Sequence, residues 1–304
     1  MPASRFFAPF AAVVIAAVAL TGCSAAESAP SPAKTGVIPV VASTDVWGSV
    51  ASAIGGRHVA VTSIIDDPNK DPHDYQADAR NQLAISKASV VIDNGGGYDD
   101  FVSTMVSAAH THPAVLTAAE LSGYDQHPAS GDFNEHLWYD FPTVQKVAQA
   151  MADAFAKEDP SDAASFRSNA AAFDAKLHTL EATEARLKST YAGTDVTITE
   201  PVPLYMLDAI GLTNVTPQKF SEAIENDTDV APTVLEQTLD LYKSGKVKLI
   251  AYNEQTTGAQ TALVLAAAKK NGVAVVPVTE TLPAGTNYIG WMTANLDAIA
   301  KALK

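Results

Sequence analysis

Residues 37–44, VIPVVAST, form a continuous apolar and β-branched run, as expected of a strand buried on both faces. Asp45 then offers an N-cap to VWGSVASAIGG, a short helix closed by two glycines. VAVTSII (59–65) predicts the next strand and ADARNQLAISKA a helix. VVIDNG (90–95) predicts a strand, DDFVSTMVSAA a helix and AVLTAA (114–119) another strand. The helix predicted over 142–157 has Pro142 at its first position, where a missing N–H is tolerated. Over 161–190, Phe166, Ala170, Phe173, Leu177, Leu180, Glu184 and Leu187 recur at alternating steps of four and three. That spacing buries one face of a long helix, and Glu184 is its single polar member. A helix of that length spans about 45 Å at ~1.5 Å per residue, so it reads as a strut crossing the molecule.

Beyond the strut the alternation resumes. DVTITE, LTNVT, VKLIAYNE and VAVVPV predict strands. PLYMLDAIG, PTVLEQTLDLYKS (232–244), GAQTALVLAAAKKNG and NYIGWMTANLDAIAKALK predict helices. Strands alternating with helices imply an α/β fold with parallel sheets covered on both faces. The simplest assembly is two parallel-sheet lobes joined by one long rigid helix, with no sequence repeat between the lobes. The expected boundaries are an N-terminal lobe over 37–158, a linker helix over 159–190 and a C-terminal lobe over 191–304.

Composition narrows the partners. The 304 residues include 34 acids against 20 bases, a formal charge of −14, which argues against nucleic acid and is compatible with a cation. Hydrophobic residues make up 47%, enough for real cores. The single cysteine excludes an intramolecular disulfide. It is Cys23, and its context is informative. Arg5 precedes the apolar run AAVVIAAVAL, too short to span a bilayer, and LTGC follows. The arrangement resembles a bacterial lipobox, which implies cleavage after residue 22 and lipidation of Cys23. Residues 23–36 then read as a flexible tether, and no later stretch predicts a membrane span.

Ligands of open α/β sheets collect beyond the carboxyl ends of strands, and four candidates stand at such places. His73 lies in KDPHDYQ after VAVTSII, and His136 in FNEHLWYDFP before the helix at Pro142. Glu200 ends DVTITE, and Glu280 follows VAVVPV. Two come from each expected lobe. Two imidazoles and two carboxylates suit a divalent metal, and the carboxylates neutralise its charge. Each also has a plain structural reading: His73 as a turn residue, His136 as a helix-entry residue beside Trp138 and Tyr139, Glu200 as a helix-start acid, Glu280 as an exposed turn. His110 and His112 read as helix-end residues, and His58 and His178 as structural or solvated. His127, in a polar loop, is a candidate for assisting metal capture.

These features in their order resemble the metal-specific solute-binding proteins of bacterial ABC importers, the zinc and manganese receptors. The resemblance is carried by DPHDYQ followed by ADARNQLAISKASVVIDNG, then NEHLWYD, TITEPVPLY and VKLIAYNEQT, and finally VVPVTETLPAGTNYIGWMTANLDAIAKAL. It covers roughly residues 37–304. It implies His73, His136, Glu200 and Glu280 as ligands in the interlobe cleft. Glu280 stands where the family usually has Asp. It also implies Zn2+ or Mn2+ as transported ligand, an ABC permease as partner, an extracytoplasmic lipid-anchored monomer, and no enzymatic activity. The chain lacks the long His-rich loop of many zinc receptors, and its third ligand is Glu, both as in manganese-type members. Zinc is nonetheless placed slightly ahead, because it binds most N/O sites more tightly. The alternatives are a zinc hydrolase, against which there is no H-E-x-x-H helix, and a receptor or cell-adhesion protein for an organic solute on the same scaffold.

Overall fold

The computed structural model describes residues 1, 36–67, 70, 75–76, 78–129 and 131–304. Cys23, the expected signal peptide beyond Met1, nearly all of the expected tether and His73 lie outside the described residues.

The first half contains β1 (Ile38–Thr44), α1 (Asp45–Gly55), β2 (Val59–Ile65), α2 (Ala79–Ile85), β3 (Val90–Asp93), α3 (Phe101–Ala108), β4 (Ala114–Thr117) and α4 (Ala118–Ser122), followed by α5 (Phe141–Glu158). The long helix α6 spans Ala163–Tyr191. The second half contains β5 (Asp195–Ile198), α7 (Leu204–Ala209), β6 (Thr213–Asn214), α8 (Gln218–Glu225), α9 (Pro232–Lys243), β7 (Leu249–Asn253), α10 (Ala259–Lys270), β8 (Ala274–Val278) and α11 (Tyr288–Ala302). The first sheet has the order β2-β1-β3-β4 and the second β6-β5-β7-β8. Every pairing is parallel. The two halves therefore share one strand order and form the expected two-sheet α/β architecture.

The central strands β1, β3 and β7 are largely apolar because both of their faces are covered, whereas the flanking β2, β4 and β6 are partly exposed. Along β1, Val40 and Ala42 join a core that continues through α5 and α6 into the second sheet. Val41, pointing the other way, packs with Ile64, Ile85 and Met105 under the outer helices. The second sheet repeats the arrangement: Leu249 and Ala251 face the shared core, and Ile250 faces Phe220, Tyr242 and Val264. This two-sided burial is the usual state of a parallel sheet.

At 29 residues α6 is about 44 Å long at ~1.5 Å per residue. All seven positions of the 4-3 stripe are buried, Glu184 included. Asp140 caps α5 by accepting from the Thr143 N–H at 3.1 Å and the Thr143 hydroxyl at 2.6 Å. Gly48 lies where α1 presses on β2, and a Cβ there would collide with the Ser63 Oγ. No helix among the described residues is long and apolar enough to cross a membrane.

One local expectation is corrected. Asp45 does not cap α1; Thr44 occupies the cap position without a side-chain bond, and Asp45 is the first helical residue. Its Oδ1 instead accepts from the Leu282 N–H at 3.1 Å, joining the two halves of the chain. Three further bonds do the same. The Tyr288 N–H donates to Ser49 Oγ at 3.0 Å, the Tyr288 hydroxyl to the Trp138 carbonyl at 2.6 Å, and the Tyr139 hydroxyl to the Thr279 carbonyl at 2.9 Å. Some predicted strands are shorter than expected, β6 having only two residues, and α4 and α8 were not foreseen.

Candidate metal centre

His136 closes the polar loop before α5 and precedes a single 3-10 turn, Leu137–Tyr139, whose three side chains are buried. Its own side chain is fully buried. Tyr98 and Trp138 flank the imidazole, with ring centroids at 6.1 and 5.2 Å. Its Nδ1 lies 2.8 Å from the Asn134 Oδ1, an acceptor, so Nδ1 donates and, in the neutral imidazole, the lone pair falls on Nε2. That is the tautomer a metal ligand requires. Asn134 is itself held from the second half: its Nδ2 donates to the Pro201 carbonyl at 3.2 Å, and its carbonyl accepts from the Tyr205 hydroxyl at 2.7 Å. From beneath, Asn94 Nδ2 donates to the Glu135 carbonyl at 2.9 Å. The Asn94 and Gly95 N–H groups both donate to the Asp99 carboxylate at 2.7 Å. Gly95 holds a φ of 69°, which favours glycine in this loop.

The acids converge from the second half. Glu280 Oε2 lies 3.9 Å from His136 Nε2, and Glu225 Oε1 lies 3.6 Å from it. Among the described residues, Glu135, His136 and Glu225 form a set whose potential ligand atoms all lie within 4.8 Å of one another. Glu200 and Glu280 stand two residues past the ends of β5 and β8 and are buried. Between those strands runs β7, whose last residue Asn253 donates from Nδ2 to Glu280 Oε1 at 2.8 Å. The Thr256 hydroxyl donates to Glu200. Gln255 Oε1 accepts from the Glu280 N–H at 2.6 Å, fixing the backbone of that loop. Burial pushes the Glu200 carboxyl up to about 8; the Glu225 and Glu280 charges add to this, and the Thr256 bond opposes it. Two cavities flank the cluster. One, of about 870 Å³, is lined by His127, Asp132, Glu135, Glu222 and Glu225 among others. The other, of about 720 Å³, is lined by Glu225, Asp229, Gln255 and Thr256 among others.

Of the four expected ligands, the structure brings His136, Glu200 and Glu280 into one buried cluster, and His73 lies outside the described residues. Sequence reasoning missed Glu225 and Asn134. The helix bearing Glu225 was hidden in eight residues, although Pro217 followed by Phe220, Ala223 and Ile224 is a short i, i+3, i+4 signal. His127 is exposed and lines the larger cavity. His110 and His112 are exposed beyond α3. His58 pairs with Asp162 at 2.7 Å, and the exposed His178 sits between Asp174 and Glu181.

The model of the family described as ZnuA, zinc-uptake complex component A, periplasmic, matches residues 40–302. The manganese-binding lipoprotein MntA of Bacillus subtilis (strain 168) is 24% identical over 307 residues, covering 97% of this chain and 98% of that protein. The manganese ABC transporter substrate-binding lipoprotein scaA of Streptococcus gordonii is 21% identical, covering 96% of each chain. Among solved structures, the periplasmic zinc binding protein TroA from Treponema pallidum superposes with a TM-score of 0.74 at 19% identity, over 88% of this chain and 99% of that one.

Proposed function

The chain belongs to the family of the periplasmic zinc-uptake component A, and from that premise we propose that it captures a zinc or manganese ion outside the membrane and delivers it to an ABC permease. The family is a binding component of a transporter, so the cation is cargo and no bond in a substrate is made or broken. The reading is carried by one observation: the buried Nε2 of His136 faces two carboxylate oxygens at 3.6 and 3.9 Å. Two donors on one tetrahedral ion at about 2.1 Å each stand roughly 3.4 Å apart, so a small contraction brings this set to coordination distance. In the proposed complex His136, Glu200 and Glu280 bind the ion, His73 adds a second imidazole, and the ion exchanges its waters for them. The acidic surface raises the local cation concentration. Cys23 carries the lipid that holds a monomeric protein at the outer face of the membrane, and stable anchoring takes more than one acyl chain. Zinc keeps a slight lead on intrinsic affinity.

The test is metal analysis of protein purified without chelators, followed by zinc–manganese competition. Wild type is expected to hold one ion per chain, and His136→Ala to lose it. Stoichiometric metal in both His73→Ala and His136→Ala would show that the ion sits elsewhere.

A further inference from the structure

We propose that Glu225 is itself a ligand of the transported ion, a third carboxylate beside Glu200 and Glu280, and that it tilts the site towards manganese. This rests on the metal-capture reading above and adds to it a residue and a selectivity.

Glu225 Oε1 is nearer to the buried His136 Nε2, at 3.6 Å, than is Glu280 Oε2 at 3.9 Å. The imidazole is fully buried and directed at both acids, so the arrangement is more than a patch of surface carboxylates. Electrostatics point the same way. Glu225 is the last residue of α8, where the helix dipole presents its negative end and disfavours an acid. It is also largely buried, with a side chain only 13% exposed, beside two other buried carboxylates. A dication bound among them turns each of these repulsions into an attraction shared through the ion. Position matters too. Glu225 lines both flanking cavities, so an ion arriving from either meets this carboxylate next to the buried imidazole.

Selectivity follows from ligand count and type. Zinc settles into four-coordinate sites and accepts imidazole readily. Manganese prefers higher coordination and oxygen donors. A third carboxylate supplies an oxygen that zinc does not need and manganese uses. Manganese is intrinsically the weaker binder at a given N/O site, so the added acid narrows zinc's lead.

The experiment compares Mn2+ and Zn2+ affinities, each by chelator competition, in wild type, Glu225→Gln and Glu222→Gln. Glu222 lies on the same helix and lines the larger cavity, and it reports the effect of removing a nearby charge that is not a ligand. Glu225→Gln is expected to weaken manganese by at least roughly tenfold and zinc by no more than about threefold. Glu222→Gln is expected to leave both affinities unchanged. Equal weakening of the two metals, no weakening of either, or the same pattern in Glu222→Gln overturns the proposal. X-ray absorption at the manganese edge of loaded wild type tests it without a substitution. About six light neighbours are expected, and a four-coordinate ion overturns it. A wild type that binds neither metal refutes the capture reading itself, whereas one that binds both while Glu225→Gln changes nothing refutes this inference alone.

Discussion

Replacing Glu184 by glutamine should stabilise the protein by an amount that grows with pH. Glu184 lies on the buried stripe of α6 with 6% of its surface exposed, and no donor among the described residues reaches its Oε1. Burial pushes its carboxyl from 4.5 up to about 8, and the charges of Glu181 and Asp140 add to the shift. An acid whose folded pKa is raised favours folding fully only below its unfolded pKa, and that contribution is lost as pH rises towards the folded value. At pH 7 the group is protonated when folded and ionised when unfolded. The difference is 2.5 pH units at about 1.4 kcal/mol each, on the order of 3 kcal/mol. Glutamine keeps the shape and never ionises. Urea unfolding of metal-free wild type and Glu184→Gln between pH 5 and 8 is the assay. The gap should be under about 1 kcal/mol at pH 5 and open by about 1.4 kcal/mol per unit up to pH 8. Asp45, Asp93 and Glu200, whose carboxyls burial raises to about 6, 7 and 8, contribute equally to both proteins and cancel. A gap that stays constant across that range would refute the claim that Glu184 is held protonated by burial.

Three further outcomes follow from the same contacts. Asn134→Ala removes the acceptor that fixes the His136 tautomer, so both metals should bind roughly 10- to 100-fold more weakly by chelator competition, with their ratio preserved. Asp45→Asn keeps an acceptor for the Leu282 N–H and removes a charge that burial disfavours. It should therefore melt above wild type at pH 8, with the two melting curves converging near pH 4, below the folded value of about 6. Chelating the metal from wild type should lower its melting temperature, since an ion at 1,000 times its dissociation constant contributes about 4 kcal/mol; His136→Ala should melt identically with and without metal.

The strands and the strut were legible because their signals are local and strong. A strand buried on both faces reads as a near-continuous apolar run, as β1 and β3 do. The 4-3 stripe of α6 found all seven buried positions, including the acid that no hydrophobic count would place inside. What stayed hidden depended on partners distant in sequence. Asp45 looked like a cap because caps are judged from their neighbours, but its carboxylate is claimed by Leu282, 237 positions on. Helix α8 has only eight residues and no side-chain cap, so Glu225 read as loop. Asn134 has no pattern at all; its role exists only once the Pro201 loop is folded against it.

The sheet order accounts for the shape of the acid cluster. Strand β7 lies between β5 and β8, so the loops carrying Glu200 and Glu280 leave the sheet two strand spacings apart, roughly 10 Å. Glutamate side chains can close that gap, but two buried carboxylates brought together repel. Asn253 ends the intervening strand and donates to Glu280 Oε1 at 2.8 Å, while the Thr256 hydroxyl just beyond it donates to Glu200. A lysine at this position would satisfy the acids with its own charge and compete with any cation for them. In the proposed site, neutral donors from Asn253 and Thr256 hold the two carboxyl groups in place and leave their charge for the cation to neutralise.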